Sequence, residues 1–231
     1  MIAAVLFDKD GTLFDFRKTW SAWSRRVLTG LAEGDSCRAA ALGVAIGYDF
    51  STGGFMPCSP VIAATPADLA DVLLDSLEGW ERDALIAHLN LEAARTPQVE
   101  AVPLVPLLAG LLARGIRLGV ATNDSEAAAS AHLTSAGIRG AFDFVAGYDS
   151  GFGAKPGPGM LRAFAEKVRL PCRQVAMVGD SRHDLLAGRR AGMQTIAVLS
   201  GMTPEAELVE LADAILPDIG ALPGWIAGQS H

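Results

Sequence analysis

The sequence predicts an α/β fold in which a parallel sheet core is interrupted by a small all-helical insertion. Near the start of the chain, the apolar run from Ala3 to Phe7 has the length of a buried strand. From Val102 onward, apolar runs of strand length alternate with segments of helical periodicity, whereas residues 15–97 show helical periodicity alone. Because strand and helix units of this length are joined by right-handed crossovers, their strands are expected to run parallel.

The first predicted strand is followed by two carboxylates, Asp8 and Asp10, and then by Gly11. In an open parallel sheet the carboxyl ends of the strands form the edge where ligands bind, and a glycine there permits a sharp turn. If the strand geometry continues, both carboxylates lie on one side, where two anions require a cation or a shared proton. A divalent metal ion would meet that requirement.

The insertion begins with a helical stripe of apolar residues from Phe16 to Leu31. Residues 43–60 are rich in Gly, Pro, Ser and Asp, which indicates a long connection rather than a strand. Thr65 followed by Pro66 is typical of a helix start, and a further helix is predicted over residues 81–94. We therefore expect an insertion without a strand of its own.

After the insertion, helices predicted to end at glycines alternate with strands predicted at residues 116–121, 142–145, 175–178, 195–199 and 214–216. The first strand precedes the insertion and these strands follow it. Residues 1–14 and 98–231 are therefore predicted to form one Rossmann-like core, and residues 15–97 a small cap domain. An insertion at the carboxyl edge lies over the ligand site, where it could exclude water.

Polar residues also follow later strands of the predicted sheet. Thr122 offers a hydroxyl and the following backbone N–H to an anionic oxygen. Lys155 lies in a loop that contains glycines, and Asp180 and Asp184 lie at a strand-to-helix turn, where aspartate is also a common helix cap.

These strand ends carry Asp8-x-Asp10-Gly-Thr, Thr122-Asn123, Lys155-Pro156 and Gly179-Asp180-x-x-x-Asp184. In order and residue type they resemble the four motifs of the haloacid dehalogenase superfamily. The helical insertion is similar to the cap of phosphoglycolate phosphatases, β-phosphoglucomutases and haloacid dehalogenases. Two positions depart from the pattern: Lys9 stands where an apolar residue is more common, and Gly159 stands where an acidic residue is common.

The resemblance implies a phosphatase that hydrolyses a small phosphorylated metabolite, phosphoglycolate-like or a sugar phosphate, through an aspartyl-phosphate. It implies that Asp8 is the nucleophile and that Asp10 is the general acid and base. Thr122 and Lys155 are expected to bind the phosphoryl oxygens.

The same resemblance implies a magnesium site. Asp8, the backbone carbonyl of Asp10, and Asp180 are expected to bind Mg²⁺, with Asp184 completing the set directly or through water. Asn123 is a candidate for substrate binding. Arg17, Trp20 and Trp23 lie where the cap leaves the core and are candidates as well, although the stripe that they form also fits simple packing of the cap.

The same fold also carries other activities. A phosphosugar mutase of the β-phosphoglucomutase type is the first alternative, and a non-catalytic phosphometabolite-binding regulator is the second. A dehalogenase needs neither a metal nor an acid two residues after its nucleophile, so the presence of Asp10 argues against that activity. A phosphonatase needs a cap lysine that forms a Schiff base. This activity is also disfavoured, because Lys18 is the only lysine in the insertion.

Composition restricts the partners. A net charge of −7 with dispersed cations predicts no nucleic-acid partner, and the longest apolar stretch, residues 101–113, is too short to cross a bilayer. We expect a cytoplasmic monomer or homodimer. The cysteines suggest neither disulfides nor zinc, and the histidines show no metal-ligand spacing; these residues are Cys37, Cys58, Cys172, His88, His132, His183 and His231.

Overall fold

A computed structural model describes residues 1–56 and 59–229 and confirms the α/β class. Its six-stranded sheet is parallel throughout, in the order β5-β4-β1-β6-β7-β8. The strands are β1 Ala4–Phe7, β2 Tyr48–Asp49, β3 Gly54–Phe55, β4 Arg117–Ala121, β5 Phe144–Ala146, β6 Val175–Gly179, β7 Gln194–Val198 and β8 Ala214–Leu216.

Helices cover both faces of this sheet and build most of the insertion. They are α1 Phe16–Leu31, α2 Ser36–Ala45, α3 Pro66–Leu74, α4 Arg82–Ala94, α5 Leu104–Ala113, α6 Glu126–Ser135, α7 Gly159–Lys167, α8 Arg182–Ala191, α9 Glu205–Leu208 and α10 Leu222–Gly228, with short 3-10 turns at Pro60–Ile62, Arg139–Ala141, Cys172–Gln174 and Ile219–Ala221.

The central strand β1 is buried on both faces. Its side chains alternate, so that Val5 and Phe7 pack into one hydrophobic cluster of the core and Ala4 and Leu6 into the other. Phe7 is level with Val120 of β4 and with Val178 of β6. The three strands therefore end together, which brings the residues after them to one edge.

The insertion has a hydrophobic cluster of its own, drawn mainly from α1 to α4 and including Trp20 and Trp23. Thr65 caps α3, as predicted, in a reciprocal pair with Asp68. At the start of α1, the side chain of Asp15 accepts a hydrogen bond from the backbone of Lys18, a cap that the sequence analysis did not identify.

The prediction that residues 43–60 contain no strand was wrong. Tyr48–Asp49 and Gly54–Phe55 pair as a short antiparallel hairpin, and Tyr48 packs on Phe55 with a ring-centroid distance of 5.2 Å. Strands of two residues are too short for alternation to be read from sequence. Gly43 lies within α2, which continues to Ala45. The absence of a side chain at Gly43 allows the backbone oxygen of Tyr48 to approach the helix closely, since a Cβ there would lie only 2.8 Å from that oxygen.

Two residues singled out from the sequence, Cys58 and His231, lie outside the described ranges. Within those ranges, no helix is both long enough and apolar enough to cross a membrane.

Candidate active site

Four loops at the carboxyl edge of the sheet bring the predicted residues together. Asp8 follows β1, Thr122 follows β4, Lys155 lies in the loop after β5, and Asp180 and Asp184 follow β6. All five are buried. Residues far apart in sequence therefore meet at one edge of the sheet, as the strand-end argument predicts, and Asp8, Thr122 and Lys155 among them also line one cavity.

Lys155 forms the centre of this arrangement. Its Nζ donates to Asp8 Oδ1 and to Asp184 Oδ1, each at 2.6 Å, and to the carbonyl oxygen of Ala121 at 2.8 Å. All three ammonium protons thus have acceptors. Asn123 fixes the lysine backbone, because its Oδ1 accepts from Lys155 N at 2.8 Å and its Nδ2 donates to Lys155 O at 2.9 Å.

The acidic residues outnumber the lysine that faces them. Burial raises the pKa of Asp8 to about 7; Lys155 opposes that shift, while Asp184 and Asp10 add to it. The pKa of Asp180 is also raised well above its usual range, by burial and by the charges of Asp8 and Asp184. Burial would lower the pKa of Lys155, but the two neighbouring carboxylates outweigh burial and raise it. Excess negative charge in a buried site favours a bound cation.

The donors fit a metal ion. Asp8, Asp180 and Asp184 can each present one oxygen so that these atoms lie within 4.8 Å of one another. Asp180 is 3% exposed, yet its hydrogen bonds are long: 3.5 Å from Thr12 Oγ1 and 3.4 Å from Met202 N. A buried carboxylate with such weak partners is the kind of group that a cation stabilises, and a set of oxygen donors suits a hard divalent ion.

Asp184 differs from Asp180 in having strong protein partners. One oxygen accepts from Lys155, and the other accepts from Ser181 N at 3.0 Å and from Ser181 Oγ at 2.7 Å. The second pair forms the capping box of α8. Asp184 therefore fixes both the start of a helix and the position of the lysine.

Asp10 is held by a residue whose role was not predicted. Lys9 is fully buried, and its Nζ lies 2.9 Å from Asp10 Oδ1 and 2.7 Å from Asp10 Oδ2. It also pairs with Asp124 Oδ2 at 3.1 Å, an ion pair whose geometry falls short of a hydrogen bond, and meets His132 Nδ1 at 3.0 Å. The departure from the family motif at Lys9 was the available signal; nothing in the sequence pointed to Asp124 or His132.

These contacts define the state of His132. Because an ammonium can only donate, Nδ1 accepts from Lys9, and Nε2 therefore carries the proton that is donated to the Ala93 carbonyl at 2.8 Å. Burial and the charge of Lys9 together lower the pKa of His132 to about 4, with Asp10 and the hydrogen bond to Ala93 opposing the shift. A neutral imidazole thus links the site to α4 of the cap.

Above these groups lies a cavity between the core and the cap. Trp20, Thr122 and Asn123, three of the candidates from the sequence, line it. Asn123 Nδ2 also donates to the cap carbonyl of Ala63 at 2.8 Å, so its amide is already engaged. Arg17 is exposed and does not line the cavity, because it points away from the buried face of α1 that carries Trp20.

Comparisons with known proteins agree with this fold. The model of the haloacid dehalogenase-like hydrolase family matches residues 2–192, and the chain belongs to that family. It is 36% identical to a phosphoglycolate phosphatase of Rhodospirillum rubrum over 120 residues, covering 52% of this chain and 50% of the relative. It is 36% identical to one of Neisseria meningitidis over 138 residues, covering 59% and 56%.

The matched region thus spans about half the length of these curated relatives. Among solved structures, a predicted phosphoglycolate phosphatase from Haemophilus somnus superposes with a TM-score of 0.77 at 19% identity, covering 97% of this chain and 98% of that one. At that identity the likeness concerns the fold alone.

Proposed function

We propose that the protein is a Mg²⁺-dependent phosphatase that hydrolyses a small phosphorylated metabolite through an aspartyl-phosphate on Asp8. The observation that carries this proposal is the buried cluster of Asp8, Asp180 and Asp184 around Lys155. A nucleophile, a fixed cation and a metal-binding set of oxygens are the parts that phosphoryl transfer requires.

In the first half of the reaction, a carboxylate oxygen of Asp8 bonds to phosphorus as the bond to the ester oxygen breaks. Asp10 gives its proton to the departing alkoxide, so that a neutral alcohol leaves. Lys155 and the hydroxyl of Thr122 bind phosphoryl oxygens. In the second half, water attacks the aspartyl-phosphate, Asp10 takes a proton from that water, and inorganic phosphate and free Asp8 are restored.

Asp8, Asp180 and the backbone carbonyl of Asp10, with Asp184 beside them, would hold Mg²⁺, and the charge of the ion would offset that of the incoming phosphate dianion. The residues around it keep the reacting groups in place. Lys9 orients the carboxylate of Asp10 through both oxygens, and the apolar cap wall limits access of water to the phosphorylated aspartate.

Two classes of substrate are candidates for this phosphatase. The names of the relatives make phosphoglycolate one candidate, and the cap type adds sugar phosphates. Both are tested by a panel that includes p-nitrophenyl phosphate, phosphoglycolate and hexose phosphates.

We expect phosphate release that requires Mg²⁺, stops with EDTA and is absent in Asp8→Asn. Failure of every ester in the panel to release phosphate would refute the proposal. Isomerisation of a hexose 1-phosphate without phosphate release would instead identify the phosphosugar mutase. Tight binding of a phosphometabolite without turnover would identify a regulator.

A further inference from the structure

The cavity over Asp8 has a polar floor and an apolar cap wall. The floor is formed by the strand ends, whereas the cap contributes aromatic and aliphatic side chains, among them Phe16, Trp20, Trp23, Val61, Ile62 and Leu69. The aromatic part is packed edge to face, with Trp20 and Trp23 ring centroids 5.1 Å apart. The wall is therefore an ordered, mainly apolar surface facing the space into which the alcohol part of the ester must extend. Its uncharged polar groups include the indole N–H of Trp20 and of Trp23, which have no hydrogen-bond partner among the described residues.

Positive charge is scarce in this cavity. Among the described residues that line it, Lys155 is the only lysine or arginine. Its ammonium protons are already shared by Asp8, Asp184 and the Ala121 carbonyl, and its place in the reaction is at the phosphoryl group. The arginine that the sequence offered as a substrate contact, Arg17, lies outside. Within the described lining of this cavity, a second anion on the substrate would thus have no further lysine or arginine to meet.

The helix start beside the cavity does not replace that missing charge. Thr65 and Pro66, at the N-terminus of α3, line the cavity. The carboxylate of Asp68 already occupies this terminus, accepting from Thr65 N at 2.9 Å and from Thr65 Oγ1 at 2.6 Å. Pro66 has no backbone N–H to offer. The partial positive charge of the helix end is thus satisfied within the chain.

Two further acidic residues, Asp10 and Asp124, line the same cavity, and they already share the one buried cation beside them, Lys9. A carboxylate on the substrate would face them, in surroundings where an unpaired charge is strongly disfavoured. An uncharged apolar group would instead gain contact with Trp20, Trp23 and Leu69.

We propose that this pocket selects phosphate monoesters of uncharged, largely apolar alcohols and disfavours esters that carry a carboxylate beside the phosphate. The proposal rests on the phosphatase activity proposed above and names its substrate class. It separates this chain from the activity for which its relatives are named.

Two matched pairs of esters test the proposal at pH 8, where His183, the histidine among the described residues that line the cavity, is neutral. Phosphoglycolate and its amide, 2-phosphoglycolamide, share a shape and differ in one charge. We expect kcat/KM to be higher for the amide by roughly 10-fold or more, at least the effect of one misplaced methylene in an apolar pocket. Benzyl and methyl phosphate release alcohols of similar acidity, and we expect benzyl phosphate to be preferred by roughly 10-fold or more.

A cap variant tests the missing charge directly. Ile62 is partly buried and lines the cavity, so Ile62→Arg places a guanidinium at the wall. The ratio of kcat/KM for phosphoglycolate to that for its amide is expected to rise by roughly 10-fold, a modest fraction of what a desolvated charge pair can contribute. Val44→Arg, at a cap position that is 77% exposed, makes the same change of net charge away from the cavity and should leave the ratio unchanged.

The outcomes are distinct. If the wild-type protein prefers phosphoglycolate to its amide, or treats benzyl and methyl phosphate alike, the substrate class is wrong and the phosphatase activity stands. An equal shift of the ratio in both arginine variants would also contradict it, because the effect would then come from net charge. If no ester releases phosphate, the proposed function itself fails.

Discussion

At the scale of single residues, the two aspartates after β1 have different surroundings, and their substitution by asparagine should have different kinetic effects. Asp8→Asn removes the anionic nucleophile, so turnover should be abolished while phosphate still binds, because the repelling charge is gone. Asp10→Asn should lower turnover of alkyl phosphates by roughly 10²–10⁴-fold. With p-nitrophenyl phosphate, whose leaving group needs no proton, Asp10→Asn should give a burst followed by slow release. Rapid-quench kinetics measure both; substantial turnover in Asp8→Asn, or no burst in Asp10→Asn, would contradict these roles.

Lys9 is the residue whose loss should affect the site and the stability together. Lys9→Met leaves the buried carboxylate of Asp124 without its cation and releases Asp10. Breaking one side of a buried ion pair lowers the free energy of unfolding by roughly 3–5 kcal/mol. Urea unfolding measures this loss.

Lys18→Met is the matched control for Lys9→Met, because its ammonium pairs with Asp15 on the surface and its side chain is 66% exposed. Such pairs contribute about 0–1 kcal/mol. Equal losses of unfolding free energy in the two variants would show that the buried ion pairs of Lys9 contribute no more to stability than the surface pair of Lys18.

At the scale of elements, Asp180 and Asp184 belong to different parts of the turn between β6 and α8. Asp180 has only weak hydrogen bonds, so Asp180→Ala should leave the metal-free protein as stable as the wild type or more so, while Mg²⁺ affinity falls by roughly 10–100-fold or more. Asp184→Ala removes the α8 cap and a partner of Lys155, and should lower the free energy of unfolding by roughly 3–5 kcal/mol. Thermal unfolding in EDTA and Mg²⁺ titration calorimetry separate the two variants, and the reverse order of stabilities would contradict the assignment.

At the scale of the whole molecule, His132 joins the core to the cap and makes stability depend on pH. Its pKa is about 4 in the folded protein and 6.5 when exposed. Between these two values the folded state binds fewer protons than the unfolded state. The stability that neutral His132 contributes is therefore fully present above pH 6.5 and is lost as the pH falls towards 4. The shift corresponds to about 3 kcal/mol.

The charged groups that act on His132 are Lys9 and Asp10. The raised pKa values of the buried acids Asp8 and Asp124 change stability in the opposite direction. The quantity to measure is therefore the difference in unfolding free energy between the wild type and His132→Gln at pH 7 and at pH 4.5. That difference should shrink at the lower pH. Parallel pH profiles would show that His132 does not titrate on unfolding.

Much of this molecule could be predicted because strand ends and caps are local signals. The six strands of the sheet and the grouping of Asp8, Lys155 and Asp180 follow from apolar runs and from the rule that parallel strands end at one edge. The hairpin at Tyr48 could not be read, because its strands are only two residues long and are held by aromatic packing. The contact of Lys9 with His132 joins residues 123 positions apart, and single-sequence periodicity carries no information on such pairs.

The amide of Asn123 has a consequence for motion of the cap. Its Nδ2 carries two protons, one donated to the Lys155 carbonyl and the other to Ala63 in the cap. Lifting Ala63 away breaks only the second bond, and a neutral hydrogen bond of this kind contributes about 0.5–1.5 kcal/mol. The bond from Asn123 to Ala63 is therefore a weak tie between core and cap, beside the one from His132 to Ala93, and its loss leaves both bonds from Asn123 to the backbone of Lys155 intact.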